Sequence, residues 1–187
     1  MTATRGAGRY LAGGGAVGLA AASALTIERF ELLIDPTYRP SCSINPVLSC
    51  GSVMVTDQAA AFGFPNSIIG IVAFTVVAVS GVLLASGTPI PRWYLRGLWA
   101  GALLGVVFVH WLIFQSLYRI GALCPYCMVV WAVTIPTFTV LSRLVVARPG
   151  PVSAALLEWR WAITGVWFGV VLLLIYLRFE SYWNTLW

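Results

Sequence analysis

The sequence predicts an all-α integral membrane protein, a four-helix bundle with a fifth transmembrane helix at its side. Three observations lead to that fold class. Of the 187 residues, 60% are hydrophobic and 9% charged, where soluble domains run at roughly 45–50% and about 25%. Five uncharged stretches come close to or reach the roughly 20 residues that cross the hydrocarbon of a bilayer. The net charge of +5 comes from eleven Arg, no Lys and six acids, and these are scattered rather than clustered. A water-soluble globule, a disordered chain and a nucleic-acid binder are excluded, because each needs charge that this chain lacks.

The first stretch, residues 10–27, lies between Arg9 and Glu28 and carries Gly14 and Gly18 as a G-x-x-x-G for close helix packing. A rival reading exists, since Arg5, Arg9, the apolar run and Ala22-Ser23-Ala24 also describe a secretory signal with its cleavage site. Either reading leaves the following loop outside the cytoplasm. The second stretch lies within residues 67–85, the third covers 97–118, the fourth 120–142 and the fifth 161–177. Gly87-Thr88-Pro89-Ile90-Pro91 and Arg148-Pro149-Gly150-Pro151 read as tight loops. Only residues 31–66 form a sizeable extramembrane piece. The chain therefore divides into a four-helix core, residues 1–146 including loop 31–66, and a fifth helix with its tail, residues 147–187.

Orientation follows from the arginines. With the N-terminus inside, seven arginines (Arg5, Arg9, Arg92, Arg96, Arg143, Arg148 and Arg160) are cytoplasmic and four (Arg29, Arg39, Arg119 and Arg178) lie outside. That bias favours N-terminus in and C-terminus out. Trp93 and Trp161 then fall at the inner interface, and Tyr118, Trp183 and Trp187 at the outer one.

This topology puts all four cysteines on the outer side, where disulfides persist. Cys42 and Cys50 lie in the large loop, and Cys124-Pro125-Tyr126-Cys127 opens the fourth span. Pro125 fits the first helical position, where its missing N–H costs nothing. Cys124 then sits at or near the N-cap, where unpaired amides and the helix dipole favour a thiolate. Cys127, three residues on, lies about 4.5 Å further along the axis. One sulfur thus faces the aqueous interface while its partner leans toward lipid, which suits electron transfer to a lipid-soluble acceptor. Three readings stay open on spacing alone: one relay, two static disulfides in a small scaffold, or a zinc site. The C-x₇-C half is unlike usual zinc spacings, and we expect no metal.

The run Cys42-Ser43-Ile44-Asn45-Pro46-Val47-Leu48-Ser49-Cys50-Gly51-Ser52-Val53-Met54 resembles the outer loop of bacterial vitamin K epoxide reductase homologues. Phe62-Gly63-Phe64-Pro65-Asn66-Ser67-Ile68-Ile69-Gly70 and Cys124-Pro125-Tyr126-Cys127 look like that family too, over roughly residues 9–142. The resemblance implies a quinone-dependent thiol–disulfide oxidoreductase of the bacterial cytoplasmic (inner) membrane, with its site on the extracytoplasmic face. A thioredoxin-like (DsbA-like) dithiol partner would attack a Cys42–Cys50 disulfide at Cys42, Cys50 would pass electrons to Cys124, and Cys127 would stand next to the quinone, menaquinone or ubiquinone. Exchange of this kind runs through mixed disulfides. The chain ends at Trp187 with no fused thioredoxin-like domain, so the partner is expected to be a separate protein.

The quinone-binding polar position of the family maps onto Asn66, whose amide could bond a quinone carbonyl but which also reads as an N-cap of the second span. Thr56 maps to a hydroxyl residue of the family's loop, and could equally cap a short helix over residues 57–62. Where vertebrate members have a ring-contacting Tyr, this chain has Trp131. That departure favours plain quinone reduction over epoxide reduction. His110, within the third span, is expected to be a neutral imidazole bonding a neighbouring helix. Gln115 and Ser116 could line a quinone pocket or join helices.

Overall fold

Five helices of the computed structural model are long and apolar enough to cross a membrane, and the chain is described over residues 2–146 and 150–184. They are α1 (Thr2–Ile34), α3 (Asn66–Ser86), α4 (Arg92–Gln115), α5 (Pro125–Val145) and α7 (Arg160–Arg178). The loop after α1 holds the short α2 (Cys50–Met54) and a 3₁₀ turn (Asp57–Ala60), while α6 (Pro151–Glu158) and α8 (Glu180–Trp183) flank α7. Among the described residues there is no strand, only an isolated parallel bridge between Leu48 and Leu123. Arg148 and Pro149 of the expected tight loop, and Trp187, lie outside the described residues.

Three boundaries differ from expectation. Helix α1 runs on to Ile34, past Glu28 and Arg29, because charge ends a membrane-compatible stretch without ending a helix. The fourth span starts at Pro125 rather than at residue 120. Before it, α4 passes into a π-helical turn, Ser116–Ile120, and Gly121 at φ +70 reverses the chain. That left-handed conformation carries little cost for glycine. After Gly150 the chain forms α6, a short helix ahead of the fifth span over residues to which the sequence assigns no element.

Helix α1 packs antiparallel on α3 along a seam of small residues. A Cβ on Gly15 would stand 2.6 Å from the backbone nitrogen of Ala78, and one on Gly18 would enter the Phe74 ring. The expected G-x-x-x-G is thus half right, since Gly18 lies on the seam while Gly14 looks toward Thr137 at 3.8 Å. Helix α5 lies against α1 and α4, which leaves α3 and α4 facing one another across a cavity of about 500 Å³. Tyr94 and Ser80 join across its far end at 2.8 Å, and Phe62 rests on Phe108 near the cysteine end, with ring centroids 5.7 Å apart.

The fifth spanning helix, α7, joins the bundle through polar contacts. Trp167 Nε1 donates to His110 Nε2 at 2.8 Å, and His110 Nδ1 lies 2.8 Å from the Val106 carbonyl. An indole can only donate, so Nε2 accepts and the proton sits on Nδ1. His110 is the neutral interhelical imidazole that the sequence led us to expect. Thr139 and Thr164 meet at 3.1 Å. At the cysteine end Arg178 Nε donates to the Leu117 carbonyl at 2.7 Å, an acceptor in the π turn, where a cation also suits the negative helix end.

Candidate active site

The site forms where two helix N-termini meet. Cys124 is the N-cap of α5, with Pro125 in the first turn, and its sulfur accepts from the Cys127 N–H at 3.5 Å. Ser49 caps α2 through the N–H of Ser52, which makes Cys50 that helix's first residue. Backbone pairing holds the two together: Leu123 N–H donates to the Val47 carbonyl at 2.7 Å and Ser49 N–H to the Leu123 carbonyl at 2.9 Å. Asn45 shapes the approach, its Oδ1 accepting from the N–H groups of Val47 and Leu48 at 2.9 and 2.7 Å.

Cys42 and Cys50 form a disulfide with a Cα–Cα distance of 5.6 Å, inside the usual range. Cys124 and Cys127 are free thiols. Cys50 Sγ lies 3.0 Å from Cys124 Sγ, and Cys42, Cys50 and Cys124 are all buried. Three sulfurs so close could in principle hold a metal. Two of them are bonded to each other here, however, and a disulfide sulfur is not a thiolate ligand. Hydrogen bonding from the Cys127 thiol and from the N–H groups of Cys127 and Tyr126 holds the Cys124 thiol below its ordinary range. Burial and the negative charge of Glu28 push the other way. A cysteine with a lowered pKa beside a disulfide sulfur is the kind of pair that thiol–disulfide exchange uses.

Among the described residues Cys127 is the only cysteine on the wall of the cavity between α3 and α4, which it shares with Asn66, Gln115, Ser116 and Trp131. Arg29, Gln58, Ser67, Tyr94, Thr134 and Thr137 also line it, among mostly apolar side chains. Trp131 is 3% exposed, and its indole N–H has no partner. Buried donors are nearly always paired, so this unpaired N–H, on a residue that lines the cavity, is one that a ligand acceptor would complete.

Two expected residues are placed differently. Asn66 is the first residue of α3 rather than its N-cap, a position taken by Pro65. Its amide braces the loop instead, donating to the Gln58 carbonyl at 2.7 Å and accepting from the Ala61 N–H at 3.1 Å. It still reaches the cavity wall. Thr56 precedes the 3₁₀ turn without capping it through its side chain, and its hydroxyl donates back to the Val53 carbonyl at 2.7 Å. The structure does not bring Thr56 to the cavity.

Sequence reasoning missed two contributors. Glu28 marked only the end of the first uncharged stretch, yet it is buried against the cysteine loop. Arg178 counted only toward orientation, yet it caps the π turn that leads to Cys124. Neither residue carries a local pattern, because both act on partners far along the chain.

A buried disulfide in contact with a dithiol, beside a cavity in a bundle of helices long and apolar enough to span a membrane, is an arrangement consistent with a redox role. The chain matches the vitamin K epoxide reductase family over residues 9–142, and it belongs to that family. It is accordingly an oxidoreductase and a multi-pass membrane protein, in a family associated with quinones. No curated protein matches the chain.

Proposed function

We propose that the protein oxidises a thioredoxin-like dithiol partner through its four cysteines and delivers the electrons to a quinone in the bilayer, supporting disulfide formation outside the cytoplasm. The observation that carries this reading is the 3.0 Å approach of Cys50 Sγ to Cys124 Sγ, with Cys127 on the cavity wall. The excess of arginines at the opposite end supports an extracytoplasmic site in the bacterial cytoplasmic membrane.

The steps balance as follows. A partner thiolate attacks Cys42 and Cys50 leaves. The partner's second thiol then closes its own disulfide and releases Cys42, so two electrons and two protons have reached Cys42 and Cys50. The Cys50 thiolate attacks Cys124 of an oxidised Cys124–Cys127 pair, Cys127 leaves, and Cys42 resolves the mixed disulfide. The loop disulfide is restored, and Cys124 and Cys127 hold the electron pair and the protons. The redox state described above, a loop disulfide with two free thiols, corresponds to this point.

A cavity of about 500 Å³ is within the usual range for ligand sites, roughly 300–1,000 Å³. A bound quinone would supply the two-electron, two-proton acceptor. Trp131 would donate its unpaired N–H toward a carbonyl, and Asn66 would keep its loop contacts while offering its remaining amide hydrogen. An indole donates a hydrogen bond without giving up its proton, which supports quinone reduction over epoxide reduction.

The test is quinone reduction by purified protein in detergent with a dithiol reductant, followed by quinone absorbance. Wild type is expected to consume quinone and Cys127→Ser is not. If neither consumes any of several quinones, the quinone step is overturned and the reading as a scaffold with static disulfides takes its place.

A further inference from the structure

A buried carboxylate stands beside the sulfurs and takes no part in the exchange steps. Glu28, near the end of α1, is 8% exposed. Tyr38 Oη donates to its Oε2 at 2.9 Å, the Ser41 N–H lies 3.3 Å from both carboxylate oxygens, and the Ser41 hydroxyl donates to Oε1. All of these donors sit on residues 38–41, the strap that ends at Cys42.

The strap also packs through Pro40, which is buried near Gly51, but it has few other hydrogen bonds. Its remaining hydrogen bonds are short-range: Asp35 with Thr37, Tyr38 with Asp35, and Ser43 with Pro40. One long contact, Ser41 Oγ to Tyr126 Oη at 3.4 Å, reaches α5. Beyond Cys42 the situation changes, since Ser43 Oγ takes the Gly51 N–H and the Leu48–Leu123 bridge secures the rest. The disulfide therefore has one firmly seated sulfur, on Cys50. The other, on Cys42, is 5% exposed at the end of a strap whose hydrogen bonds to the rest of the fold go chiefly to Glu28. A dithiol must reach Cys42 in line with the S–S bond, so the strap must lift first.

We propose that Glu28 is a positioning residue for the dithiol step, a latch whose carboxylate holds Tyr38 and Ser41 so that the strap stays closed over Cys42 until a partner displaces it. This rests on the preceding reading only in taking Cys42 as the sulfur attacked. The chemistry gated is reduction of the loop disulfide: a dithiol gives up two electrons and two protons, becomes a disulfide, and leaves Cys42 and Cys50 as thiols.

The experiment follows reduction of Cys42–Cys50 by dithiothreitol in detergent-purified full-length protein with no quinone present, so that an inactive quinone step leaves the latch tested. Losing one hydrogen bond to a charged acceptor raises the open population about tenfold or more, so Glu28→Ala is expected to be reduced at least that much faster than wild type. Glu28→Gln keeps one acceptor oxygen of the two and loses the charge, and is expected to fall between the two. Hydrogen exchange supplies the readout that a merely structural role would not give. Protection should be lost at residues 38–42 and kept in α2 and at the start of α5. An unchanged or slower reduction in Glu28→Ala overturns the proposal. So does a loss of protection spread equally over α2 and α5.

Discussion

Replacing Trp131 by Phe separates the two things that its ring does. The indole N–H is buried without a partner among the described residues, a situation that costs about 1–3 kcal/mol. Phe removes that donor. It also removes roughly 50 Å² of buried ring surface, about 1 kcal/mol in the opposite direction. The core around it, including Ile113, Leu117 and Ile175, keeps an aromatic neighbour, so the two changes largely offset. Trp131→Phe should therefore melt close to wild type, where full truncation of such a side chain costs about 3–5 kcal/mol. Quinone use should respond differently. A net hydrogen bond is worth about 0.5–1.5 kcal/mol, so the KM for quinone should rise about 2- to 12-fold with dithiol in excess. The assay is steady-state quinone reduction in detergent, paired with a thermal melt of the same preparation. An unchanged quinone KM would refute the role given to the indole N–H.

Two further outcomes are expected. On α1, Gly15→Ala forces a Cβ against the Ala78 backbone and should destabilise the protein by about 1–3 kcal/mol. Gly13→Ala, with open space around it, should instead stabilise by about 0.5–1 kcal/mol; thermal melts of the pair that moved in the same direction would contradict the seam. Because the Cys127 thiol holds the Cys124 thiol below its ordinary range, Cys124 carries thiolate at lower pH than a free cysteine, whose value is about 8.5. Its alkylation rate should fall only as pH drops through that lowered value, and Cys127→Ala should move the profile back up; a wild-type profile matching a free thiol would count against this arrangement.

Much of this was legible in the sequence because the bilayer simplifies the reading. Apolar length alone located all five spans, and Pro125 after Cys124 located the start of α5. What charge could not say was where a helix stops: α1 continues through Glu28 and Arg29 to Ile34 because backbone hydrogen bonding does not depend on polarity. Asn66 illustrates a different limit. Its local context, after Pro65 and before an apolar run, is that of a cap, yet its amide is drawn to Gln58 and Ala61 by the fold of the loop. Glu28 and Arg178 were invisible as site residues because their partners lie 10 to 61 positions away, beyond any periodic signal. The cysteines were the reverse case, since spacing and a family resemblance together pointed to the junction at which Cys50 and Cys124 meet.

The bridge between Leu48 and Leu123 has a kinetic consequence. Two backbone hydrogen bonds hold the segment bearing Cys50 to the segment bearing Cys124, and neither bond involves residues 38–42. If the strap lifts and Cys42 departs in a mixed disulfide with a partner, Cys50 remains tethered beside its next target. Its attack stays intramolecular, at an effective concentration far above that of any soluble thiol. On the proposed relay the two loop cysteines divide the labour into a travelling sulfur and a resident one, and the slow, diffusive search falls on the first alone.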